Sequence, residues 1–189
     1  MEELTGPSTK LRNVLCHRDL WDQNILFQMD NQGNPLDCRI LDFQLTRYSP
    51  PGIDILYYLY ATNSQKERQL IYSECLNYYY ETLKDCLKHH GLSPELISRS
   101  DFEEDCLKSR FIALILWAIC TPLMKMPEGL SNKWRAEDPK QYDVYMNKDR
   151  SEMFTRISDM SEDYAREIMI PIEELLDYVM SNEEMLVLQ

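Results

Sequence analysis

The stretch from Val14 to Gln44, "VLCHRDLWDQNILFQMDNQGNPLDCRILDFQ", limits the fold more than any other. It contains three apolar runs of strand length, with a polar loop after the first and a turn after the second. Val14–Cys16, Ile25–Gln28 and Cys38–Leu41 are predicted strands. The intervening "MDNQGNP" carries Asn, Gly and Pro, the residues that turns require. Ile25 to Leu41 therefore reads as a hairpin that returns Asp42 to the level of a loop holding His17, Asp19 and Asn24. Strands this short do not hold together alone, so the rest of the chain has to supply a body to pack against.

That body reads as helical. "RYSPPG" is expected to break regular structure, because two prolines and a glycine continue neither strand nor helix. "IDILYYLYAT" follows as a short apolar helix. "SQKE" from Ser64 is a capping box that opens a long helix, with Gly91 as its C-cap and Pro94 forbidding continuation. "DFEE" from Asp101 opens the next helix, which includes the apolar run "FIALILWAIC". "TPLMKMPEGLSNKW" reads as a loop, with Met124 and Met126 as gap-fillers or pocket lining. Tyr142 to Met180 is again helical, with Pro171 opening or kinking the last helix. The predicted class is α+β, mainly α: a small β ribbon carrying a polar loop, packed on a helical body. Residues 1–12 read as a tail or severed connection and 13–189 as one lobe.

Charge and cysteine usage narrow the setting. Lys and Arg number 20 against 32 Asp and Glu, a net charge of −12, which repels nucleic acid and anionic membranes. "FIALILWAIC" is too short to span a bilayer, and the first residues lack the apolar stretch of a secretory signal. The six cysteines form no C-x-x-C pair and read as buried free thiols of a reducing compartment. A cytoplasmic protein without nucleic-acid or membrane partners is expected. His89 and His90 suit a helix C-terminus better than a metal site, and "NYYYE" from Asn77 reads as a helix with one tyrosine face buried.

The polar loop carries the chemistry. Phosphoryl transfer needs a carboxylate to orient the attacking hydroxyl and take its proton. It also needs hard oxygen ligands for magnesium. Asp19 fits the first role, and Asn24 and Asp42 fit the second. His-x-Asp, an Asn five residues after the Asp, and Asp-Phe after an apolar strand form the signature set of kinases. Three features argue against a protein kinase. Trp21 stands two residues after Asp19, where Ser/Thr kinases carry lysine; "DFQ" replaces "DFG"; and only "LTRYSPPGI" separates it from Asp54, too short for an activation segment. A small-molecule acceptor in an open cleft suits that short connection.

"VLCHRDLWDQNILF", "RILDFQLTRYSPPGIDILYYL" and "FEEDCLKSRFIALILWAICTPL" resemble the CHK kinase-like, or ecdysteroid kinase-like, family, relatives of choline kinases and aminoglycoside phosphotransferases. The resemblance runs from about Leu11 over nearly the whole chain and implies a kinase-like fold, here its C-terminal lobe. It implies ATP-dependent phosphorylation of a small-molecule hydroxyl, ecdysteroids being the namesake acceptors. On it, Asp19 is the catalytic base, Asn24 and Asp42 bind magnesium and with it ATP, and His17 holds the loop by hydrogen bonding. Gln44 orients Asp42. Asp54 braces the loop backbone or caps the following helix. Trp21 packs in the core or walls the acceptor pocket. The family usually writes H-G-D-L-W, so Arg18 stands where a glycine is usual.

Kinase-like folds also use an N-terminal lobe with a Gly-rich cover loop, a strand lysine and a helix glutamate. No such pattern is found in the chain, whose five glycines are scattered. The chain is therefore expected to need a missing N-terminal lobe as partner, to bind ATP weakly by itself and to expose an apolar lobe interface. The alternative is a non-catalytic kinase-like remnant that binds a partner or ligand.

Overall fold

The computed structural model describes residues 6–10 and 12–182; of the predicted tail, residues 1–5 and 11 lie outside this set. The chain divides into two compact units, Met1–Leu114 and Ile115–Gln189.

Among the described residues, the first unit holds four strands: β1 (Val14–Cys16), β2 (Ile25–Met29), β3 (Pro35–Ile40) and β4 (Arg47–Ser49). They form two separate antiparallel ribbons, β1 with β4 and β2 with β3, where a single ribbon was expected. The "RYS" segment, expected to be irregular, is β4: Val14 faces Ser49 and Cys16 faces Arg47. The break falls at the two prolines that follow. β3 starts at Pro35 rather than Cys38, with a register shift opposite Gln28 and Met29. The hairpin turn is held by the Asp30 carboxylate, which accepts from the Gln32 and Asn34 amides at 2.8 Å each. Gly33 takes a φ of 84°, open to glycine at little cost.

Three helices complete this unit: α1 (Gly52–Thr62), α2 (Gln65–His89) and the start of α3 (Arg99–Met124). α1 is buried on most of its surface through Ile53, Leu56, Tyr57, Leu59 and Tyr60. α2 opens with the expected capping box between Ser64 and Glu67. It closes one residue earlier than expected: His90 is the C-cap, and Gly91 follows it with a φ of 70°. Gly91 N–H bonds to the Lys88 carbonyl and Leu92 N–H to that of Leu87, the paired bonds of a Schellman ending. Tyr80 is buried against Phe102 and donates to the Ile97 carbonyl at 3.1 Å; Tyr78 is exposed.

α3 begins at Arg99, two residues before the predicted start, and carries Pro122 inside it. The apolar run is thus part of a longer helix, which by length and composition alone could cross a membrane, contrary to the reading from the run itself. Less than half of its most apolar window is buried in the protein.

The second unit adds α4 (Leu130–Glu137), α5 (Pro139–Asn147), α6 (Ser151–Met160) and α7 (Glu162–Ser181). Leu130, Trp134, Tyr145, Met153, Ile157, Tyr164 and Ile168 form its core. One expectation is corrected here and another is made more precise. "TPLMKMPEGLSNKW" is mostly helical, because α3 runs through Pro122 and α4 starts after Gly129, which lacks a capping side chain. The segment from Tyr142 to Met180 is three helices, broken near Lys148 and Ser161, and Pro171 lies buried inside α7 rather than opening it. Tyr164 donates to the Pro122 carbonyl at 3.0 Å. Burial pushes the Tyr164 phenol up to about 12.

All six cysteines are unbridged. Cys16 and Cys106 are buried, Cys75 and Cys120 are half-buried, and Cys38 and Cys86 are exposed, so the buried-thiol reading applies fully to two of them.

Ile157 is fully buried, so Ile157→Ala leaves a cavity and is expected to lower the unfolding free energy by about 2–5 kcal/mol. Exposed Met160→Ala on the same helix should change it by less than about 0.5 kcal/mol. Urea denaturation of the two variants checks both.

Candidate functional site

The polar loop begins where β1 ends. Cys16 is buried and its thiol donates to the carbonyls of Ser49 and Pro50 at 3.4 and 3.3 Å. Burial first, then the Asp54 charge, pushes this thiol up to about 12, so it remains a protonated donor.

The next two residues are held by a single carboxylate. Asp54, in the first turn of α1, accepts from His17 N–H at 2.6 Å through Oδ2 and from Arg18 N–H at 2.7 Å through Oδ1. Asp54 is not the cap of that helix; Pro51 holds the N-cap position. Burial raises the Asp54 carboxyl, and the two amide bonds oppose that shift without cancelling it. Arg18 sits at a φ of 68°, in the left-handed region. For a residue with a Cβ this conformation costs roughly 1–2 kcal/mol. The pair of hydrogen bonds from the His17 and Arg18 amides to Asp54 holds the backbone there.

The His17 ring ties the loop to the returning hairpin. Its Nε2 lies 2.7 Å from the Leu41 carbonyl, and its Nδ1 accepts from Asp19 N–H at 3.2 Å. The network assigns the proton to Nε2, because only that tautomer makes both bonds at once. Phe43 packs edge-on against the ring, with centroids 4.9 Å apart. Asn24, buried at the end of a short 3-10 turn, donates through Nδ2 to Asp19 O at 2.8 Å and to Asp19 Oδ2 at 2.9 Å. The Asn24 carbonyl also accepts from Leu41 N–H at 2.8 Å. Loop and hairpin end are thus joined at two points.

Asp42 follows β3 in the left-handed region, at a φ of 60°, and its Oδ2 accepts from Gln44 Nε2 at 3.2 Å. Asp42 and Asp19 are close enough to interact. Burial is the main cause raising the Asp19 carboxyl; Asn24 and His17 lower it, and the Asp42 charge raises it further. Two carboxylates and an amide therefore share one small region, on backbone fixed by the contacts above. Among the described residues there is no cluster of three or more His, Cys, Asp or Glu side chains suited to a metal ion. The donor set present, two carboxylates and an amide oxygen, suits magnesium, which takes one or two carboxylates and fills its remaining positions with phosphates and water. Asn24 Nδ2 is committed to Asp19, so Oδ1 is the atom of that side chain for a cation. Trp21 is half-buried beside the loop.

Some of the support was not foreseen. Asp105 on α3 is buried; its Oδ2 accepts from Gly52 N–H at 2.7 Å, and its Oδ1 from the Ser109 hydroxyl at 3.0 Å. A Cβ at Gly52 would lie 2.9 Å from Asp105 Oδ2 and 3.1 Å from the Cys106 Cα, so this approach requires glycine. The available signal was the helical spacing of Phe102, Asp105, Cys106, Ser109 and Ala113, which puts a carboxylate on the core face. A separate apolar cavity of about 380 Å³ backs onto the loop. Cys16, Leu20, Asp54, Ile55 and Tyr79 are on its wall, and Asp19, Asn24 and Asp42 are not.

Residues 1–92, which contain all the site residues foreseen, match the model of the ecdysteroid kinase-like family. The mainly helical architecture with small antiparallel sheets agrees with the kinase-like phosphotransferase fold that this family implies. No curated protein and no solved structure gives a significant match.

Two outcomes follow from the loop geometry. Arg18→Gly relieves the left-handed strain but adds the chain entropy of glycine, about 0.5–1 kcal/mol, so it should stay within about 1 kcal/mol of the parent. Arg18→Val, β-branched at the same φ, should destabilise; thermal unfolding distinguishes them. For Asp54, a carboxyl raised on folding stabilises fully below its unfolded value, near pH 4, and loses that contribution as pH rises through the raised folded value. The stability of the parent relative to Asp54→Asn should therefore fall as pH rises from about 4, measured by urea unfolding across the carboxylate range.

Proposed function

We propose that this chain carries the catalytic loop of an ATP-dependent phosphotransferase acting on a hydroxyl of a small molecule, with an ecdysteroid-like polyhydroxylated compound as the acceptor class that the matched family suggests. The observation that carries the reading is the joining of Asp19 and Asn24 by a 2.9 Å hydrogen bond, on a loop tied by His17 to the strand end that delivers Asp42.

In this reading Asp19 receives the proton of the attacking hydroxyl and holds that oxygen in line. Its raised carboxyl favours proton acceptance, since a stronger base is a better partner for an alcohol. Asn24 Oδ1 and the Asp42 carboxylate hold magnesium, which supplies charge neutralisation of the phosphates when bound. Gln44 keeps one Asp42 oxygen oriented. His17 and Asp54 take no part in the chemistry; they fix the loop backbone so that Asp19 needs no rearrangement.

The exposed apolar side chains of the ribbons support a further element of this reading. Leu15 is 75% exposed, Phe27 56% and Phe43 60%, and Leu26, Leu36 and Tyr48 are also exposed. A two-stranded hairpin exposed along its whole length is marginal in water. A covering lobe over the ribbons would bury part of this apolar surface, and the reading therefore includes such a lobe in the working enzyme.

The test is transfer of labelled phosphate from Mg-ATP to a panel of small hydroxylated acceptors by the protein with its covering lobe. Asp19→Asn should lower transfer by at least about 100-fold while unfolding at the same temperature as the parent. Equal transfer by parent and variant would overturn the assignment of the base.

A further inference from the structure

The fold carries a second carboxylate that bears on the loop without touching it. Asp54 and Gly52 lie in the same first turn of α1. Asp54 reaches forward to the His17 and Arg18 amides, while Gly52 N–H is held from behind by Asp105 on α3. The Ser109 hydroxyl, one helical turn on, holds the other Asp105 oxygen. The chain just before this turn is pinned from the opposite side, where the Cys16 thiol donates to the Ser49 and Pro50 carbonyls. The segment from Ser49 to Asp54 is therefore clamped between β1 and α3. All of these groups lie within the first compact unit.

We propose that Asp105 is a positioning residue of the loop: it fixes Gly52 and with it the first turn of α1, so that Asp54 meets the His17 and Arg18 amides and sets the direction of Asp19. The argument is geometric. A helix N-terminus has unsatisfied amides and can shift or fray by a fraction of a turn. Asp54 must meet two consecutive amides at 2.6 and 2.7 Å, a fit that such a shift would break. The Arg18 backbone is strained and relaxes once that grip is lost. Asp105 blocks the shift with a buried bond, and the missing Cβ of Gly52 allows the approach. The charge on Asp105 is tolerated because both oxygens are hydrogen-bonded.

The role of the loop rests on the phosphotransferase reading; the linkage from Asp105 to the two amides does not, and the experiment separates them. Site-resolved amide exchange is measured on the parent, Asp105→Ala, Asp105→Asn and Ser109→Ala, with Leu76→Ala in the core face of α2 as a control for lost stability. In Asp105→Ala, exchange at His17 and Arg18 should accelerate about tenfold beyond the rise at other slow amides of the same unit. Asp105→Asn, which keeps one acceptor oxygen, should restore most of the protection. A uniform rise at all slow amides, as in Leu76→Ala, would overturn the linkage. If Asp105→Ala fails to fold, Ser109→Ala decides: a selective rise at the same two amides supports the linkage, and its absence overturns it. In the transfer assay, Asp105→Ala should lower kcat with KM for ATP unchanged, and Asp105→Asn should restore most of the loss. If the parent shows no transfer while the exchange pattern holds, the functional reading fails and the linkage stands.

Discussion

Two neighbouring amides, His17 and Arg18, meet one carboxylate, Asp54, and the rest of the site is arranged around that meeting. A short loop with a left-handed residue would not choose a single conformation in water. Here it has one, because a rigid helix presents two acceptor oxygens at the spacing of consecutive N–H groups. The helix is rigid because it is buried on most sides. The same bonds that order the loop also satisfy a carboxylate that burial would otherwise penalise heavily. Order in the loop and tolerance of a buried acid thus depend on each other.

The histidine adds the second constraint. Its ring spans from the Asp19 amide to the Leu41 carbonyl, so the loop and the strand end move as one piece. Asn24 repeats the link through its own backbone and side chain. What emerges is a small polar platform with two carboxylates near each other and little freedom. Such a platform suits phosphoryl transfer, where the protein contributes position and charge more than covalent chemistry. Several side chains of the ribbons around it are apolar yet exposed.

Much of this was legible in the chain order of residues. The loop, the hairpin with its turn at Asp30 to Asn34, the short helix after the two prolines and the capping box at Ser64 all follow from local chemistry. In each case a residue acts on neighbours a few positions away. Where local signals were weak, the reading failed. "RYS" gave no strand signal because three residues beside two prolines carry no periodicity, and only β1 across the ribbon makes them a strand. α4 lacks a capping side chain before it, so it looked like a loop. The segment from Thr121 read as a loop, yet α3 passes through Pro122 to Met124.

The sequence by itself determined the set of chemical groups and their local spacing. His17, Asp19, Asn24 and Asp42 lie close along the chain, and the hairpin between them is written in turn residues. Tertiary structure decided which groups hold the loop in place. Asp54 could equally have capped a helix, and nothing local favoured one role. Asp105 lies 53 positions from Gly52, and its helical spacing put a carboxylate on the core face without naming its partner. Hydrogen bonds between distant segments depend on how helices pack, and packing depends on the whole buried surface at once. The chemistry of a site can therefore be read from a motif, whereas its support has to be found in the folded chain.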